Sequence, residues 1–278
     1  MVIRGRLVLV GTILVVGGLA SGCRYGFNAQ DNQATDDAAL SQTVSEVRLA
    51  SGPGDVSIQV GSTASVHRIV HYNDDNKPGS TTSLAGGVLT LNGCGENCTA
   101  DYMVTLPANA KIDGSTDSGD ITVSGATSVS VRSDSGSISV TGVTGAVDVS
   151  TASGDIKAAG SGGNVRAHAE SGDVTVNGVG GTADLQTNSG RIMADGMKGT
   201  KTTANDSSGD ITVSPDVPQN LELQDRSGNI IVTVPGGPYR VNANTESGDT
   251  RSGVVNDANA QLSITAQASS GDVRISAK

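Results

Sequence analysis

The chain has 278 residues, a net charge of −10, 38 glycines, no tryptophan and one phenylalanine. The acid excess repels nucleic acid phosphates and no basic patch interrupts it, so nucleic acid is excluded as a partner. So few aromatic residues would suit disorder, but valine, isoleucine and leucine alternate here with polar residues, which predicts many short strands separated by glycine turns.

Arg4 and Arg6 open the chain, the apolar run "LVLVGTILVVGGLA" follows, and "SGC" ends at Cys23. This is the order of a secretory signal, without adjacent twin arginines. The run is too rich in small residues at its end to read as a spanning helix. "LASGC" resembles a bacterial lipoprotein signal, which implies removal of residues 1–22 and lipidation of Cys23. The chain would then sit on the outer face of the cell membrane. Loss of two arginines and no acid moves the net charge from −10 to −12, which outside the cell mostly means solubility. Residues 23–43 are polar and aperiodic and are expected to form a flexible tether.

Strand-like text begins near Val44, and residues 44–110 are expected to be irregular N-terminal strands forming a β cap. Within them, Cys94 and Cys98 in "GCGENCT" lie between "GVLTL" and "DYMVTL". An exported setting favours a disulfide, here expected to staple a hairpin turn and to stabilise by roughly 2 kcal/mol. A metal site would need more ligands than Glu96 and Asp101 supply.

From residue 111 to 278 the sequence repeats. Ser-Gly recurs at Ser118, Ser135, Ser153, Ser171, Ser189, Ser208, Ser227, Ser247 and Ser270, spaced by 17 to 23 residues. Three residues after each serine stand Ile121, Ile138, Ile156, Val174, Ile192, Ile211, Ile230, Thr250 and Val273. A second apolar residue follows two positions on, as a strand with one buried face requires. Another strand precedes each serine, with its inward positions six and four residues before it. Equivalent positions match because identical places stack on one another from coil to coil; an antiparallel meander gives no such reason. The fold predicted is all-β: a right-handed parallel β-solenoid of about nine two-strand coils. The coil holding Thr250 and Ser252 lacks the apolar pair, so an irregular loop is expected over 249–262. The last coil ends almost at Lys278, leaving little chain to cover that end.

"MVTLPANAKIDGSTDSGDITVSG" (Met103–Gly125) and the Ser-Gly-Asp coils after it resemble the bacterial putative-adhesin domain, over about residues 44–276. The resemblance implies a β-solenoid in an envelope protein and supplies no catalytic residues.

The residue after Ser-Gly is Asp120, Ser137, Asp155, Asp173, Arg191, Asp210, Asn229, Asp249 and Asp272. A column of carboxylates could hold calcium, and Asp155 and Asp173 are the candidates. Asp at a corner also accepts local backbone hydrogen bonds while Gly takes a positive φ. Ser137, Arg191 and Asn229 favour this structural role, and Arg191 is expected between Asp173 and Asp210. His67 and His71, with Asp74 or Asp75, offer metal ligands, but four residues along a strand is about 13 Å, too far for one ion. Three histidines and no Gly-x-Ser-x-Gly elbow give no support to nucleophilic catalysis.

The function expected is non-enzymatic, without cofactor. A rigid, adhesin-like face is presented to an envelope or extracellular protein or to a glycan, on a membrane reached through the lipid. The competing readings are an accessory scaffold of an envelope-stress or membrane signalling system, and a polysaccharide-active enzyme by fold analogy. A site is expected where the repeat breaks, at Arg191 or in the 249–262 loop.

Overall fold

The computed structural model describes residues 32–50, 52, 54–73 and 77–278. Each repeat supplies one strand to each of two long sheets. In order these coils are β8 (Lys111–Ser118) with β9 (Ile121–Ala126), β10 (Ser128–Ser135) with β11 (Ile138–Val143), and β12 (Val147–Ser153) with β13 (Ile156–Ala159). Then come β14 (Val165–Ser171) with β15 (Val174–Asn177), β16 (Ala183–Ser189) with β17 (Ile192–Asp195), and β18 (Lys201–Asp206) with β19 (Ile211–Ser214). The last three are β20 (Asn220–Ser227) with β21 (Ile230–Val234), β22 (Tyr239–Ser247) with β23 (Thr250–Ser252), and β24 (Leu262–Ser270) with β25 (Val273–Ala277).

Equivalent strands pair in parallel and in the register the repeat predicts. Ile121 lies beside Ile138, Ile138 beside Ile156 and Ile156 beside Val174. Ile192, Ile211 and Ile230 continue the column. All are fully buried, and each burial stabilises by about 1.5–3 kcal/mol. A parallel solenoid is therefore the fold, and one sheet packs its inward columns against those of the other. A third inward column per sheet was not read from the sequence. It contains Thr151, Thr187, Asp206 and Asp225 on one side, and Ala126, Val143, Val179, Met197 and Val234 on the other.

The Ser-Gly corner depends on glycine for a steric reason. Gly172 has φ +137°, and a Cβ built there would stand 2.0 Å from the carbonyl oxygen of Gly154 in the preceding coil. The coils stack too closely at the corner for any side chain. Gly172→Ala is expected to destabilise by at least about 2 kcal/mol, measured by urea unfolding.

The N-terminal region is more regular than expected. β2 (Glu46–Ala50) with β3 (Val56–Val60), and β6 (Val88–Asn92) with β7 (Cys98–Leu106), add two further parallel rungs. Antiparallel β4 (Ser65–Tyr72) then covers β7, and β5 (Thr82–Ala85) covers β6. Of the tether expected over 23–43, residues 23–31 lie outside the described residues, and residues 32–39 are a strand. β1 (Asn32–Ala39) pairs antiparallel with β4, held by alternate contacts such as Asp36 to Arg68. Cys94 and Cys98 form a disulfide with Cα atoms 5.6 Å apart. It closes a coil corner and not a hairpin, because β6 and β7 belong to different sheets. Reducing it is expected to lower stability by roughly 2 kcal/mol, measured by urea unfolding with and without a thiol.

The order of rungs departs from the order of the chain at both ends. The sheets run β7-β3-β9 and β6-β2-β8 at one end, and β21-β25-β23 and β20-β24-β22 at the other. The chain's final coil is thus inserted one rung inside, and the coil before it forms the end of the rod. The apolar content explains the exchange. Ile264, Ala266, Val273 and Ile275 are buried within β24 and β25, whereas Thr250 and Ser252 of β23 are exposed. A terminal rung has one open side, so the least apolar rung costs least there. The loop expected over 249–262 is shorter, because Thr250–Ser252 pair with β25 and Leu262 begins β24; within it Asn256 partly covers the end strand, its side-chain oxygen accepting the Val241 N–H at 3.0 Å.

Candidate binding face

The corner column predicted from the sequence is a hydrogen-bonded ladder in two runs, interrupted at Arg191. Asp55 Oδ1 accepts the N–H of Asp120, and Asp120 Oδ1 that of Ser137, each at 2.8 Å. Asp155 Oδ1 accepts the Asp173 N–H at 2.9 Å, and Asp173 Oδ1 the Arg191 N–H at 2.9 Å. Arg191 has no side-chain acceptor, so the ladder restarts at Asp210, whose Oδ1 accepts the Asn229 N–H; Asn229 Oδ1 accepts that of Asp272, and Asp272 Oδ1 that of Asp249. The two calcium candidates therefore have oxygens engaged with backbone donors. Arg191 Nη2 also donates to Asp173 Oδ2 at 2.7 Å, and this hydrogen bond holds the Asp173 carboxyl below the usual range. Asp272 is lowered by the Asp249 N–H and then by Arg274.

The histidines do not converge. His67 Nδ1 lies 2.6 Å from Asp37 Oδ1, and His71 Nε2 lies 4.0 Å from Asp101 Oδ2. Asp74 and Asp75 fall outside the described residues, as does Cys23. Among the described residues no three His, Cys, Asp or Glu side chains gather as a metal site. Near the other end of the rod, the buried Arg68 bonds Asp36, the Gly79 carbonyl oxygen and Thr81, and Thr81 bonds Tyr102. Burial pushes Asp36 up, but the hydrogen bond and charge of Arg68 outweigh it and leave the carboxyl lowered.

The feature that sequence reasoning missed lies on the outer face of the sheet containing β16. Three residues before each Ser-Gly, the side chain points outward. On five successive rungs that residue is an amide: Gln186 beside Asn205, Asn205 beside Gln224, Gln224 beside Gln267, and Gln267 beside Asn244. The spacing is one per strand, about 4.8 Å. Toward the other end the column turns mixed, with His168, Ser150 and Arg132. The five amides line a shallow groove of about 460 Å³. Indexing the repeat at this offset would have revealed them, though not that the chain's last coil places Gln267 between Gln224 and Asn244.

Three other amides in the rod are engaged. Asn164 accepts the Thr182 N–H, Asn220 that of Ser263, and Gln219 the Thr202 hydroxyl. The five amides of the groove have no hydrogen-bond partner among the described residues. Arg226 and Glu246 stand in the same groove without an ion pair.

Beneath this face lie two buried carboxylates, Asp206 at 7 % and Asp225 at 4 % exposure. Their Oδ1 atoms accept the N–H groups of Ser208 and Ser227, both at 3.0 Å, while neither Oδ2 has a partner. In equivalent places Thr151 and Thr187 donate hydroxyls to the carbonyl oxygens of Gly136 and Gly172, each at 2.9 Å. Each aspartate Oδ2 occupies the corresponding position: a methyl built on Gly228 would meet both Gly209 O and Asp225 Oδ2. Desolvation pushes Asp225 up to about 6, with Asp206 and Asp210 adding to the rise against the backbone donors. Asp206 is raised for the same first reason.

Fold and faces together define a rod-shaped parallel β-solenoid whose free chemistry lies on an extended polar surface. The chain belongs to the Toastrack DUF4097 family, whose model matches residues 44–278. No curated protein matches it. It is similar in structure to a putative adhesin from Bacteroides fragilis (11% identity, 91% of this chain and 100% of that one, TM-score 0.40). It is also similar to a putative lipid binding protein from Parabacteroides distasonis (15% identity, 89% of this chain and 97% of that one, TM-score 0.48).

Proposed function

We propose that this protein is a non-enzymatic, adhesin-like binding rod of the bacterial envelope, held on the outer face of the membrane by lipid on Cys23. The observation that carries the reading is the amide-lined face. It extends across rigid, register-matched rungs, as suits recognition of an extended partner. The signal-like N-terminus supports export, and the disulfide suits an oxidising compartment.

Cells expressing the full chain are expected to incorporate labelled palmitate, to lose the label in Cys23→Ser, and to expose the rod to protease added outside. Purified rod is expected to bind isolated envelopes or extracellular matrix saturably. Label that persists in Cys23→Ser would overturn the anchor. Absence of saturable binding to either preparation would overturn the binding role.

A further inference from the structure

We infer that the amide column Gln186, Asn205, Gln224, Gln267 and Asn244 is a binding site for a neutral, extended polyhydroxylated chain, a glycan without acidic groups. The inference rests on the binding role proposed above and gives it a place and a ligand class. Each amide offers one acceptor and two donor hydrogens. Stacked amides can satisfy one another along a ladder, but these five make no such bonds. Their capacity faces a groove of about 460 Å³. Sugar hydroxyls both donate and accept, so one after another can meet the same mixed pattern at each rung.

The surroundings select against the other classes. A protein partner would want a pocket for an aromatic or aliphatic anchor, and the one apolar residue lining this groove, Ala268, is itself buried. Strand addition needs a free sheet edge, and four of these five strands are paired on both sides. An acidic glycan would find no net positive charge here: Arg226 in the groove is balanced by Glu246, Lys201 and Arg166 nearby are ion-paired with Glu222 and Asp184, and the chain carries a net charge of −10. No aromatic ring lines the groove to stack on a sugar. Recognition is therefore by hydrogen bonds alone and weak per site, and many anchored rods would be needed to hold one polymer.

The test uses the 15N-labelled full chain with three probes: cellohexaose, chitohexaose, and a hexamer of galacturonic acid as the acidic control. At least one neutral hexasaccharide is expected to shift the side-chain NH2 signals of the five amides saturably at millimolar concentration, leaving those of Asn164 and Asn220 in place. The double variant Gln224→Ala/Gln267→Ala is expected to weaken this binding at least about tenfold with an unchanged melting temperature, since both side chains are exposed. The inference is overturned if neither neutral probe shifts the five signals, if the acidic hexamer binds them more tightly, or if the double variant binds equally well. If that variant still binds envelopes as the parent does, this face is eliminated and the broader binding role stands.

Discussion

As the pH falls from neutral to about 5, the rod is expected to gain about 1.4 kcal/mol of stability from Asp225 alone, and near pH 4 it should approach its maximum. The folded-state value is about 6 against 3.8 when unfolded. Between these values the folded chain binds more protons than the unfolded one, so stability declines as pH rises. The whole difference corresponds to about 3 kcal/mol, absent above the folded value and complete only below the unfolded one. Asp206 acts in the same direction. Asp36, Asp173 and Asp272 act oppositely: their folded values are depressed, and the stability they contribute is lost as pH falls below 3.8. Asp225 and Asp206 therefore favour the acid side of neutrality, and Asp36, Asp173 and Asp272 oppose further gain below 3.8.

The first cause is desolvation, and the buried Oδ2 has no donor beside it, close to the Gly209 and Gly228 corners. A proton there can make the bond that threonine makes in other rungs. Asp225→Thr supplies that donor permanently. It is expected to raise stability at neutral pH by about 2 kcal/mol and to flatten the slope between pH 4 and 7. Urea unfolding across this range measures both, and an unchanged slope in the variant would remove Asp225 as its source.

The second large effect concerns the last coil. Deleting residues 262–278 is expected to dismantle the C-terminal end well beyond the deletion. β22 pairs only with β24, and β23 only with β25 among named strands. Both would lose their neighbours, and the buried Leu221, Leu223, Ile230 and Val232 would face water. Residues 239–252 should become protease-sensitive and exchange their amides freely. Point variants separate this from a generic truncation effect. Ile264→Ala, in the inserted rung, is expected to cost about 2–5 kcal/mol. Val241→Ala, in the half-covered end rung, is expected to cost under about 1 kcal/mol. Equal costs, or a truncated chain that keeps 239–252 protected, would contradict the rung order.

Most of the fold was legible because stacking leaves a one-dimensional record. Positions that lie above one another share an environment, so Ile121, Ile138 and Ile156 resemble each other 17 and 18 residues apart. The corner aspartates were legible for the same reason, Asp120, Asp155, Asp173, Asp210 and Asp272 each accepting the N–H of the neighbouring coil. Residues 32–39 were not, because β1 is a polar strand at a sheet edge, stabilised by ion pairs such as Asp36 to Arg68 and not by an apolar face.

The sequence by itself determined the repeat, its inward columns, the glycine corners and the sign of the charge. Each depends on contacts between equivalent positions, which composition and spacing record. Only the tertiary structure decided which rung lies next to which at the ends. That choice compares the burial of whole coils, and it sets the weak rung outermost although it comes earlier in the chain. The same choice brings Gln267 between Gln224 and Asn244, completing an amide column that chain order alone would leave in another sequence.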